Sequence, residues 1–111
     1  MNELDGLRCF RLWEYRVSHG SLLLRSPKDA MFATNIDVAF VGVEYLRMST
    51  RLPGLRVVES TFAHYEEELG GSGSLSGATF LLVSSAGSGL VVAAAYRVSE
   101  HDEEFLWSPF D

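Results

Sequence analysis

Residues 69 to 96 contain twenty-eight positions and not one charged side chain. An uncharged span of that length fits either a bilayer or the interior of a globule. Its composition decides between them. Residues 70–77 are Gly or Ser at every position but Leu75, and Ser84-Ser85-Ala86-Gly87-Ser88-Gly89 divides the remainder. Two apolar runs of about seven to nine residues are left, the length of buried strands and too short for a spanning helix. The segment therefore predicts a buried hairpin, residues 78–84 and 90–99, entered through a flexible Gly/Ser loop at residues 70–77.

Elsewhere the apolar period is two, not 3.6. In residues 8–17 one face carries Phe10, Leu12, Glu14 and Arg16, the other Cys9, Arg11, Trp13, Tyr15 and Val17. The aromatic and β-branched content of the second face predicts it as the core face. Ser18-His19-Gly20 reads as a turn, residues 21–26 as the returning strand, and Pro27-Lys28-Asp29 as its stop. Residues 35–43 predict a third strand, with Ile36, Val38 and Phe40 opposite Asp37, Ala39 and Val41. Residues 44–50 read equally well as its extension or as a helical turn. Pro53-Gly54 predicts a turn and residues 55–62 a fourth strand. Phe62, Tyr65 and Leu69 have helical spacing before Gly70, although Glu66-Glu67-Glu68 near the end of such a helix opposes its dipole. Together these segments predict a mainly β chain. They predict residues 1–111 as a single domain, a small antiparallel β-sandwich or partly closed barrel of about six strands with at most one short helix.

Charge and cysteine usage narrow the functional classes. Residues 1–58 carry eight Arg/Lys against six Asp/Glu, whereas residues 59–111 carry one Arg against nine acids, a local net of −8 in a chain of net −6. Such a chain is a poor nucleic-acid or membrane-surface binder, and a basic protein partner is favoured. One cysteine, Cys9, rules out an intrachain disulfide and fits a reducing, cytoplasmic setting.

Each candidate for chemistry has a plainer reading. His64 and His101 precede acidic runs, but neither lies in a paired ligand motif, so no metal and no cofactor is assigned. Cys9 alternates with apolar neighbours and reads as a small buried hydrophobe, with Arg8 and Arg11 the only hint of thiolate activation. No serine stands in Gly-x-Ser-x-Gly. The Gly71-to-Gly77 stretch lacks the third glycine and the helix that pyrophosphate binding requires. Asp37 and Glu14 are expected to face water, or to pair with Arg16 or Arg11 across a hairpin. No catalytic residue is assigned.

The remaining signal is for binding. Arg11, Trp13 and Tyr15 on one strand, with Trp107 and Phe110 in the tail, are residue types enriched at interface hot spots. Phe105, Leu106, Trp107 and Phe110 place three aromatic rings in six residues, which predicts a docked tail. It should cover the chain's own sheet in preference to a second copy across a two-fold axis. The leading functional expectation is a small acidic, non-enzymatic protein-binding domain, an inhibitor- or immunity-like partner of a basic protein, with a homodimer compatible. The alternatives are a small-molecule-binding barrel with a cavity at Gly87, Gly89 and the alanine run, and a small hydrolase or metal-dependent enzyme using His64 or His101.

Overall fold

In the computed structural model, which describes residues 6–70 and 75–111, the alternating segments become nine strands. They are β1 (Cys9–Arg16), β2 (Ser21–Ser26), β3 (Asn35–Val41), β4 (Tyr45–Arg47), β5 (Arg51–Pro53), β6 (Arg56–Ser60), β7 (Ala78–Ser84), β8 (Gly87–Ala93) and β9 (Ala95–His101). A 3-10 turn at Phe62–Tyr65, capped by the Thr61 side chain, runs into the one-turn helix α1 (Glu66–Leu69). One sheet has the order β5-β1-β2-β3-β9 and the other β4-β8-β7-β6, antiparallel throughout and not closed into a barrel. The additional strands come from residues 44–53 and from division of the 90–99 run. No helix among the described residues is long and apolar enough to cross a membrane.

The core forms between the sheets. Phe10, Leu22, Leu24, Val38, Phe40 and Leu52 of the first meet Val57, Phe80, Leu82, Val91 and Ala93 of the second. Two strands depart from the half-buried pattern. Every residue of β2 is buried, and so are Leu90, Val91 and Val92 of β8. A strand loses its alternation when both faces are covered. For β8 the second cover is α1 and its approach, where Leu69, Leu90 and Val92 cluster with Tyr45, Tyr65 and Leu75. For β2 it is the C-terminal tail.

Two register breaks correct the alternation read from the sequence. In the β1–β2 ladder Leu12 lies opposite Leu24, but Glu14 lies opposite Leu23, so Trp13 is an extra residue, a β-bulge. The core face is therefore Phe10 and Leu12, Trp13 points away from it, and the parity of the strand reverses beyond the bulge. The second break makes the sheet corner. The single strand read at residues 90–99 divides at Ala94, with β8 in one sheet and β9 in the other. β3 turns in parallel fashion into β4. Val41 lies opposite Ala95 but Tyr45 opposite Val92, so the β3–β4 side carries one residue more. Gly42 absorbs it at φ +65°, where a Cβ would stand 2.9 Å from the Ala94 Cβ. Backbone bonds from Ala94 N–H to Val41 O and from Glu44 N–H to Val92 O tie the two bends together.

Of the small residues expected to open a cavity, Ala95 lines a groove on the outer face, and three others do different work. Gly87 opens β8 opposite Ser84 at φ +118°, a Cβ on Gly89 would lie 2.6 Å from Arg47 O, and Ala93 is fully packed in the core. Of the Gly/Ser loop, residues 71–74 lie outside the described residues. Ser76 and Gly77 donate their amides to the Glu44 carboxylate.

Candidate protein interface

On the face of the five-stranded sheet turned away from the core, Arg25 of β2 lies directly opposite Asp37 of β3. The pair is bidentate, Nε to Oδ1 at 2.6 Å and Nη2 to Oδ2 at 2.9 Å, and each side chain is 1% exposed. Asp37 therefore neither faces water nor pairs with Arg11 or Arg16. His101 of β9 completes the group. Its Nδ1 accepts the Glu103 amide at 3.2 Å, which leaves the proton on Nε2, and Nε2 donates to Asp37 Oδ2 at 2.7 Å. Both ring nitrogens are thus engaged, and neither faces a hydroxyl or thiol. The arrangement satisfies the buried Asp37 carboxylate, with Arg25 as its counter-ion and His101 as a further donor.

Burial of this group comes from the tail. Residues 102–111 form a strap across the outer face, held largely through its own carbonyls. Lys28 Nζ donates to Asp102 O at 2.6 Å, Asn35 Nδ2 to Glu103 O at 3.0 Å, Arg25 Nη1 to Phe105 O at 3.3 Å and Arg16 Nη1 to Phe110 O at 3.2 Å. Arg16 also pairs with Asp111 and with Glu14. Rings close the seat: Phe105 stands edge-on to Trp13 at 5.0 Å, and Trp107 covers His101 at 4.7 Å. The Arg25 guanidinium lies 5.4 Å from the Trp13 ring. The strap docks on its own chain, in the intramolecular arrangement favoured from the sequence.

The strap is held by its backbone carbonyls and leaves large side chains outside. Phe105 is 67% exposed, Leu106 86% and Trp107 38%. Asp102, Glu103 and Glu104 precede them, all exposed, and Asp111 stands at the far end. A fold that seats a segment this firmly yet keeps its largest apolar groups in water carries a surface patch of interface type. Trp13, Trp107 and Phe110, read from the sequence as binding residues, lie along the strap, Phe110 beside Arg16 at 5.8 Å. Arg11 is exposed on the same face, between Arg51 and Arg25 across the ladder. Tyr15 stands apart, opposite Leu22 on the other side of the sheet and 40% exposed. Sequence reasoning missed Arg25, Asp37, Phe105 and Leu106 as site residues. The run Leu22-Leu23-Leu24, apolar on both faces of one strand, was the signal that something covers the outer face.

No protein-family model, curated protein or solved structure matches this chain.

The other candidates are dispersed. His64 is exposed and packs edge-on to Tyr65 at 4.9 Å. Among the described residues no group of three or more His, Cys, Asp or Glu is placed to hold a metal ion. Cys9 is half-buried, with Arg51 Nη2 at 3.8 Å from Sγ. The acidic turn of α1 is a clasp. Glu68 accepts from Arg47 Nε at 2.7 Å and from the Tyr45 hydroxyl at 2.6 Å. Arg47, and after it Tyr45, holds the Glu68 carboxyl below the usual carboxylate range, and the same bond pushes the Tyr45 hydroxyl up. The opposing dipole expected from the sequence does not arise, because α1 is a single turn whose glutamates stand in its first turn.

Proposed function

We propose that this chain is a non-enzymatic binding domain whose C-terminal strap presents Phe105, Leu106 and Trp107 to a basic protein partner. The observation that carries the reading is the exposure of Phe105 and Leu106 on a segment whose backbone is held by Lys28, Asn35 and Arg25. Apolar side chains kept in water on a well-seated support are presented without the ordering entropy that a loose tail would lose on binding. Asp102, Glu103 and Glu104 beside them supply the field that selects and steers a cationic surface. Aromatic anchors with a charged surround are the usual anatomy of a specific interface.

The test compares capture by the wild-type protein and by a Phe105→Ser/Leu106→Ser variant from the same lysate, at low and high salt. The reading requires basic proteins that the wild type retains, that the variant loses, and that high salt releases. An identical set on both baits, or partners that are acidic, would refute it.

A further inference from the structure

We propose that the free edge of β9 binds an extended, Lys- or Arg-bearing segment of a partner protein by strand addition, with one apolar side chain of that segment seated in the groove between β3, β9 and the end of the strap. The proposal rests on the acidic-surface reading and gives it a mode of binding.

The two sheets have four edges, and three of them are short or blocked. β4 and β5 have three residues each, β5 ends in Pro53, and β4 is tied through Arg47 to Glu68; β6 has five. β9 has seven, Ala95–His101, with no proline and an unbroken ladder to β3. Residues 97–100 are all exposed. β9 pairs on one side only, so among the described residues its outward N–H and C=O groups have no ladder partner. A straight edge of this kind, roughly 20 Å long, is a template for a further strand.

Side-chain recognition has a place beside that template. Ala39 and Ala95 share the outer face with Val41 and Arg97, and their small side chains leave a groove of about 350 Å³ closed at one end by Pro109 and Phe110. An added strand directs alternate side chains to this face, so one of them reaches the groove while the next stay at the edge. The charges near the edge choose the occupant. Glu100, Asp102, Glu103 and Glu104 lie within one strand length, against Arg97 and Lys28, whose Nζ sits on Asp102 O, and the remaining negative balance favours a cationic segment. A second copy would bring another chain of net −6 to the same place, so self-pairing is opposed by mutual repulsion.

The probe is a fluorescein-labelled peptide of about ten residues, alternating Lys with Val around a central Phe. Two further versions carry N-methyl groups on its odd or on its even backbone amides, and a fourth has Glu in place of Lys. The full chain is titrated with each, binding is read by anisotropy, and amide exchange is followed over residues 95–101. Strand addition predicts that the Lys peptide binds, that alternate amides of β9 become protected, and that one methylated version binds at least about tenfold more weakly than the other. Ala39→Leu, which fills the groove, should weaken binding about tenfold without lowering the melting temperature. Equal binding of both methylated versions overturns strand addition and leaves the acidic-surface reading standing. No binding by any peptide, or equal binding of the Glu peptide, overturns the proposal together with its charge argument. Unchanged affinity in Ala39→Leu overturns the groove assignment. If sedimentation shows a dimer and β9 amides become protected with protein concentration alone, a second copy occupies the edge and the proposal is wrong.

Discussion

Replacing Asp37 by Asn keeps the shape of the residue and removes the charge that balances Arg25. In the wild type the two side chains are each 1% exposed and share two hydrogen bonds, with His101 donating a third to the same carboxylate. The variant leaves a buried guanidinium without a counter-ion and presents a mixed amide where His101 and Arg25 both need an acceptor. Breaking one side of a buried pair destabilises by about 3–5 kcal/mol. A domain of this size has roughly 5–15 kcal/mol in total. At roughly 4 °C per kcal/mol, Asp37→Asn should lower the melting temperature by about 12–20 °C. Urea unfolding followed by intrinsic fluorescence is well matched to the question, because both tryptophans of the chain, Trp13 and Trp107, pack on this group. The companion variant Arg25→Met/Asp37→Leu removes both charges at similar volume and should recover at least half of the loss, leaving mainly the unmet His101 donor. If Asp37→Asn costs less than about 1 kcal/mol, or if the double variant is as unstable as the sum of its parts, the buried pair is not what organises the outer face.

Three further outcomes follow from the same geometry. Deleting residues 105–111 should lower the melting temperature and leave the sedimentation mass that of the same oligomer, because the strap docks at home; an unchanged melting curve would contradict this. Gly42→Ala should destabilise by about 1–3 kcal/mol, since a methyl at φ +65° meets the Ala94 Cβ at the sheet corner, and chemical denaturation checks it. Glu68 has a folded pKa below its ordinary value, so its bonds to Arg47 and Tyr45 add stability above about pH 4.5 that is lost as pH falls through the lowered pKa. Glu68→Gln should therefore be less stable than wild type by roughly 0.5 kcal/mol at pH 7, with the gap closing in acid; a gap that widens as pH falls would reverse the sign of the argument.

The strands were legible in the sequence because pleating is local. Residues 21–26 and 78–84 match β2 and β7 at both ends, and Ile36, Val38 and Phe40 occupy the core face of β3 as their alternation requires. The uncharged stretch was legible for a related reason, since β8 is buried on both faces and tolerates no charge on either. What the chain alone determined, then, is where it extends, where it turns and which segments must be hidden. Tertiary structure decided which face is hidden. A period of two is the same whichever side is in, and the single extra residue at Trp13 reverses it; only the opposing register of Leu23 and Leu24 reveals that residue. Division of the 90–99 run at Ala94 depends likewise on a bend in β3 more than fifty residues earlier. The site follows the same rule. Asp37 lies twelve residues from Arg25 and sixty-four from His101, and nothing local marks it as the counter-ion of either. Its burial exists because a tail from the far end of the chain settles across three strands and excludes water, and only then does the charge need a partner.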